Sequence, residues 1–209
     1  MRSSLSFAAL ILGAGSSQRM GTPKLLLPWG GTSILGHLIQ LWGSLTASQV
    51  TVVIASKEVE LCRELDRLGF PQQNRILNFA PERGMFGSIQ CAAGWAGWSD
   101  SVTHWVILLG DQPHLQPAML RNLLDFAAQN PERVCRPMRG PRWRHPVVLP
   151  KSVFKQLTSS TAASLREFLT GCDRAGFECA DPGLDYDIDT PEDYRRALVL
   201  AGSANKLPG

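Results

Sequence analysis

At 209 residues, with 44% hydrophobic and 19% charged residues, the chain is long enough for one well-buried domain and too apolar to be disordered throughout. A formal charge of +3, with arginines scattered apart from Arg136, Arg139, Arg142 and Arg144, excludes an extended basic face for nucleic acid, and that local cluster suits a small anionic ligand. Five cysteines without a Cys-x-x-Cys pair argue against a disulfide framework or structural zinc and for a reducing, cytoplasmic setting, and no apolar run is long enough to cross a bilayer.

The apolar start, Phe7–Leu12, reads as a strand and not as a secretion leader, because cleavage would fall within the small residues that follow. Next come a helix over Ser33–Leu45, with Ser33 as its cap and Ile34, Leu35, Leu38, Ile39 and Trp42 on the buried face, and a strand over Val50–Ala55. A helix over Glu58–Leu68 stops at Gly69, and a strand over Arg75–Asn78 precedes a helix over Ser88–Trp98. The strand Trp105–Leu109 then leads to a helix over Pro117–Gln129, opened by its proline. Beyond residue 131 the expectation is a short strand at His145–Leu149, helices near Ser152–Leu157 and Ala162–Leu169, and a last helix from Pro191. This βα rhythm, with continuously apolar strands at Phe7–Leu12 and Trp105–Leu109, predicts an α/β fold. It is expected to be a single domain over residues 1–201, Rossmann-like and doubly wound around a mostly parallel sheet, with a small acceptor-side β extension and a flexible tail over 202–209.

The segment after the first strand, Leu12-Gly13-Ala14-Gly15-Ser16-Ser17-Gln18-Arg19-Met20-Gly21-Thr22-Pro23-Lys24, reads as a phosphate cradle. Small residues over Leu12, Gly13, Ala14, Gly15 and Ser16 let backbone N–H groups approach phosphate oxygens, and Arg19 and Lys24 supply positive charge. Thr22 and Pro23 separate Gly21 from Lys24, which excludes a P-loop, and Gln18 stands where a dinucleotide fingerprint needs its third glycine.

Asp111, in Leu109-Gly110-Asp111-Gln112-Pro113, emerges at the carboxyl end of a central strand, where a carboxylate can hold Mg²⁺. A second acid is expected from Asp187-Ile188-Asp189-Thr190-Pro191-Glu192-Asp193: Asp187 and Asp189 are ligand candidates, while Glu192 and Asp193 fall in the first helical turn and suit capping. Gly84-Met85-Phe86-Gly87-Ser88 leads into a helix N-terminus and makes Ser88 a nucleotide-contact candidate. His145, before Pro146, is held extended on the acceptor side.

These segments together resemble the nucleotidyltransferases that complete the molybdenum cofactor, whose signature runs Ala-Ala-Gly-x-Ser-x-Arg-Met-Gly-x-x-Lys. Lys24-Leu25-Leu26-Leu27-Pro28, Gly110-Asp111-Gln112-Pro113, Asp187 to Asp193 and the Gly84 to Ser88 segment continue the similarity, and His145-Pro146-Val147 is similar to the family's Gly-His-Pro-Val, with Arg144 in place of glycine. The family's Gly-Asp-x-Gly-Ala-Arg is replaced by Thr161-Ala162-Ala163-Ser164-Leu165-Arg166. The resemblance implies catalytic roles for Arg19, Lys24 and Asp111, Mg²⁺ on Asp111 with Asp187 or Asp189, and His145 toward a phosphorylated pterin acceptor. It implies a nucleoside triphosphate donor, CTP being preferred because Ala14 resembles the cytidylyl branch, and a molybdoenzyme as a partner. A sugar phosphate or other phosphorylated acceptor is the alternative within the fold, and a non-catalytic carrier of the cofactor the alternative outside it.

Overall fold

The computed structural model describes residues 5–13 and 23–204. Along the first half run β1 (Phe7–Leu12), the short hairpin strands β2 (Pro28–Trp29) and β3 (Thr32–Ser33), α1 (Ile34–Ser44), β4 (Gln49–Ala55), α2 (Val59–Arg67), β5 (Arg75–Asn78), α3 (Gly84–Ala93) and β6 (His104–Leu109). The second half holds α4 (Pro117–Gln129), β7 (Val134–Arg139), β8 (Arg142–Trp143), β9 (Val147–Pro150), α5 (Lys151–Gln156), α6 (Leu165–Thr170), β10 (Arg174–Glu178) and α7 (Pro191–Ala204).

The main sheet has the order β10-β7-β9-β6-β1-β4-β5, with β8 paired to β7. β1 lies between parallel neighbours, Leu12 pairing with both Val53 and Leu109, and β9 alone on that path runs antiparallel to the strands beside it. Period-two alternation sends successive residues of each strand to opposite faces. Ile11, Val52, Ile54, Val106 and Leu108 pack toward α1, α2, α4 and α7, and Leu10, Val53 and Ile107 pack toward α3, α5 and α6. Both faces are therefore dry, which is why the central strands lack a polar stripe. On the second face Trp105 stacks on Phe154 at 4.3 Å and Trp98 meets both edge-on, so these tryptophans belong to the core. Each fully buried large apolar side chain contributes about 1.5–3 kcal/mol.

The doubly wound, mostly parallel expectation holds, with differences in detail. The helix expected over Ser88–Trp98 begins at Gly84 and ends at Ala93, because the positive φ of Gly84 (70°) turns the chain from the tight turn at Pro81–Arg83 straight into the helix. β7 and β10 lie where no strand is expected: β7 carries two arginines and Pro137, yet it is paired on both sides, with the Pro137 carbonyl accepting from the Arg144 amide at 2.8 Å. The final helix extends through Gly202 to Ala204. Among the described residues no helix is long and apolar enough to cross a membrane.

Candidate active site

Three segments meet beyond the carboxyl ends of β1 and β6. The first is the short 3₁₀ turn Lys24–Leu26, whose position is set by a wedge: the Leu25 side chain, 6% exposed, fills the space between Gly13 and Gly110. A Cβ on Gly110 would stand 2.7 Å from Leu25 Cδ2, and one on Gly13 would stand 3.0 Å from the Val53 carbonyl and 3.1 Å from Leu25 Cδ1. Glycine at both positions lets the turn dock against the sheet and points Lys24 across the strand ends.

The second segment is Gly110-Asp111-Gln112, directly after β6, and the third is Asp187 to Asp193, tied to it by the Ile188 amide donating to the Asp111 carbonyl at 3.0 Å. Lys24 Nζ donates to Asp189 Oδ1 at 2.6 Å and lies 3.8 Å from Asp111 Oδ2. Gln112, which is buried, donates through Nε2 to Asp187 Oδ1 at 2.9 Å. Burial first, then the neighbouring charge of Asp187, raises the Asp111 carboxyl to about 6 against the opposing pull of Lys24. Asp111 Oδ1 is buried and has no hydrogen-bond partner among the described residues.

The acid segment is braced from below by α7. Asp193 Oδ2 accepts from the Thr190 amide at 2.9 Å and hydroxyl at 2.7 Å and from the Asp189 amide at 3.3 Å, while Thr190 Oγ1 accepts from the Asp193 amide at 3.2 Å. This reciprocal cap, together with Glu192 pairing with Arg195 and Arg196, separates the two capping acids from Asp187 and Asp189. The loop after Asp111 is pinned by two histidines: His37 Nε2 donates to the Pro113 carbonyl and His114 Nε2 to the Gly183 carbonyl, both at 2.9 Å, and burial lowers the pKa of both rings, keeping them neutral.

Of the residues expected from the sequence, Lys24, Asp111, Asp187 and Asp189 are brought together, and Leu12 and Gly13 end β1 beside them. Ala14, Gly15, Ser16 and Arg19 lie outside the described residues. Ser88 stands inside the first turns of α3 and is 2% exposed; its Oγ accepts from Asn78 Nδ2 at 3.0 Å and donates to the Gly84 carbonyl at 3.3 Å. It ties α3 to the end of β5. His145 sits between β8 and β9 beside Arg136, its Nδ1 buried without a partner among the described residues, and burial plus the Arg136 charge push its pKa down to about 3. It is therefore a neutral ring. Gln112 and Leu25 are positions of this site that its sequence does not single out; Gln112 stands within the Gly-Asp-Gln-Pro motif, and the Leu25 wedge shows only in the contacts.

Among the described residues no group of three or more His, Cys, Asp or Glu side chains is arranged to hold a metal ion by itself. The unpartnered Asp111 oxygen, on a carboxyl that feels the charge of Asp187, fits a hard cation that takes one or two protein carboxylates and fills its shell with water and phosphate oxygens.

Residues 9–175 match the family model of the MobA-like NTP transferase domain. A curated relative, the bifunctional protein GlmU of Polaromonas sp. strain JS666, is 33% identical over 132 residues, which is 60% of this chain and 27% of GlmU, so the chain spans about a quarter of that relative. Among solved structures, a nucleotidyl transferase from Methanothermobacter thermautotroptrophicus (Mth528) superposes with a TM-score of 0.77 at 19% identity, covering 96% of this chain and 99% of that one. Rv0371c of Mycobacterium tuberculosis H37Rv, solved in complex with manganese, gives 0.65 at 23%, covering 93% and 98%. A CMP:2-keto-3-deoxy-manno-octonic acid synthetase complexed with CTP gives 0.70 at 16%, covering 97% and 100%.

Proposed function

The chain belongs to the MobA-like NTP transferase family, and from that premise we propose that it moves CMP from CTP to the phosphate of a molybdopterin-type pterin, releasing pyrophosphate. The observation that carries this reading is the convergence of Lys24, Asp111 and Asp189 beyond the carboxyl ends of β1 and β6, where the glycine-rich stretch leaves the sheet. An oxygen of the acceptor phosphate attacks the α-phosphorus of the nucleotide, the bond from that phosphorus to the bridging oxygen of the β-phosphate breaks, and its electron pair leaves with pyrophosphate.

The chain's residues position and neutralise, because attack by an anionic phosphate needs no covalent intermediate. The backbone of Leu12, Gly13, Ala14, Gly15 and Ser16 lines the triphosphate, and Arg19 and Lys24 offset charge that grows on the leaving pyrophosphate. Ser88 keeps α3 fixed beside this nucleotide side of the sheet. Asp111, with Asp187 or Asp189, holds Mg²⁺, which supplies neutralisation of the phosphate charge; the manganese complex of a protein of the same fold supports a divalent ion. His145 faces the acceptor as a neutral hydrogen-bonding ring. CTP is favoured by Ala14 and by the CTP complex of a second protein of this fold, and a molybdoenzyme is the recipient of the product.

The test is pyrophosphate release from CTP, GTP, ATP and UTP with Mg²⁺ and molybdopterin, loaded with molybdate or not. Release with CTP alone is the expected result; equal turnover with GTP overturns the base assignment. One observation favours a second reading, transfer to a sugar phosphate or other phosphorylated acceptor: Thr161–Arg166 departs from the family's acceptor-side motif. Turnover with such acceptors and not with the pterin selects it, and silence with all of them selects the carrier.

A further inference from the structure

Several arginines near the β7–β10 edge of the sheet are ion-paired. Arg133 pairs with Asp173, and Arg139 and Arg144 both pair with Asp185. Arg136, Arg166 and Arg174 have no carboxylate partner among the described residues, although they are neighbours. β10 runs parallel to β7 with Gly176 opposite Arg136, so Arg136 and Arg174, two residues before Gly176, project from one face of the sheet. Val134, two residues before Arg136, belongs to the core under α6, which places Arg166, in the first turn of α6, on that same face.

Trp143 organises the group. It pairs with Met138 across β7 and β8, and its ring centroid lies 5.9 Å from Arg136 Cζ and 5.3 Å from Arg174 Cζ. Room for it comes from Gly176, where an added Cβ would stand 3.5 Å from Trp143 Cη2 and 2.1 Å from Met138 Sδ. Arg136 is only 9% exposed, and its Nε donates to the Arg144 carbonyl at 3.0 Å, which holds the guanidinium in place. Burial first, and then the charges of Arg174 and Arg166, pull Arg136 down to about 10. Aromatic contact orients guanidinium groups and offsets part of their repulsion, but the ring carries no net charge to neutralise them. An anion does, and guanidinium forks match the oxygens of phosphate-like groups.

We propose that Arg136, Arg166 and Arg174, gathered around Trp143, bind a tetrahedral oxyanion, and that in turnover this is an anionic group of the acceptor remote from the phosphate that attacks. Two strand steps separate β7 from β6, about 10 Å, so the site is distinct from the Lys24–Asp111 group yet within the span of one small acceptor. The existence of the oxyanion site is independent of the reaction proposed above; its role in turnover rests on that reading.

Titration calorimetry with inorganic phosphate on the full chain tests the site. Wild type is expected to show a binding component that persists in Lys24→Met and weakens about tenfold in Arg174→Gln and in the exposed Arg166→Gln, each shown by melting to be folded. Equal phosphate affinity in wild type and both arginine variants overturns the site. In turnover, the same variants are expected to raise the acceptor KM about tenfold and leave the CTP KM unchanged. Phosphate binding lost with the acceptor KM unmoved overturns the acceptor role. Phosphate binding lost in the variants while wild type turns over no acceptor upholds the site and rejects the nucleotidyl-transfer reading.

Discussion

Lys24 Nζ lies 2.6 Å from Asp189 Oδ1, a contact between residues 165 positions apart that bridges the turn after the glycine-rich stretch and the segment before α7. The same ammonium lies 3.8 Å from Asp111, so one cation is shared by acids from two elements. In water such a pair is worth little; here it gathers the groups proposed above to meet a triphosphate, and its value is positional.

Replacing Lys24 with Met leaves Asp111, Asp187 and Asp189 facing one another without the cation. Turnover is expected to fall by about 10²–10³-fold, as for loss of one charge-stabilising donor. The melting temperature is expected to drop as well, and Asp189→Asn in the Lys24→Met background should recover part of it, on the order of 1 kcal/mol or less because Asp189 is partly solvated. A double-mutant cycle by thermal denaturation checks the coupling; additive single effects refute it.

Asp111→Asn separates function from stability. The Asp111 carboxyl titrates at about 6 in the folded chain against 3.8 as its ordinary value, so the unfolded state loses this proton first and folding stability falls as pH rises from about 4 to about 6. Above that window the metal-free wild type carries the full penalty, and Asp111→Asn should be more stable by on the order of 1–2 kcal/mol around pH 7.5 while losing nearly all pyrophosphate release. Melting curves at pH 4 and 7.5 without divalent ions decide it: a gain at both, or at neither, contradicts the assignment.

The parts of the fold that were legible are those where local chemistry and tertiary context agree. Phe7–Leu12 and Pro117–Gln129 form the strand and helix read from their apolar patterns, and Gly69, with φ of 63°, ends α2 as read. β7 and β10 were not legible, since Arg136, Pro137 and Gly176 are poor strand signals and these segments are strands because their neighbours pair with them. In the site, Asp111, Asp187 and Asp189 announce themselves as carboxylates at strand and helix ends. The Gln112 bond to Asp187 and the Leu25 wedge depend on contacts between distant segments that no local pattern encodes.

That wedge gives a test at a residue with no side chain. An added methyl on Gly110 meets Leu25 Cδ2 at 2.7 Å and Cγ at 3.3 Å, and Leu25, being buried, has little freedom to retreat. Gly110→Ala should displace the Lys24–Leu26 turn, cost about 1–3 kcal/mol by overpacking, and lower kcat/KM about tenfold through misplaced Lys24. Leu25→Val in the same chain should restore part of both by returning the space. Denaturant unfolding and steady-state kinetics check this, and a Gly110→Ala chain of unchanged stability and rate contradicts the wedge.

Acid should weaken the fold through His145. His145 binds its proton only near pH 3 when folded, against 6.5 as its ordinary value, because burial and Arg136 oppose the imidazolium. A base with a depressed folded pKa contributes stability that is present above the unfolded value and lost as pH falls, since the unfolded chain takes the proton first. The slope reaches about 1.4 kcal/mol per pH unit below pH 6.5, so cooling of stability between pH 6.5 and 5 amounts to roughly 2 kcal/mol from this residue, or about 4–8 °C in Tm. His37, His104 and His114, all lowered by burial, add in the same direction. His145→Gln should flatten the wild-type curve by its share while leaving the melting temperature at pH 8 closer to wild type than at pH 5. Because the ring is neutral throughout the working range, the acceptor KM should show no inflection from this residue between pH 6 and 8. An inflection near 6.5 that His145→Gln removes would place a charged imidazole at the acceptor and overturn the neutral-ring assignment.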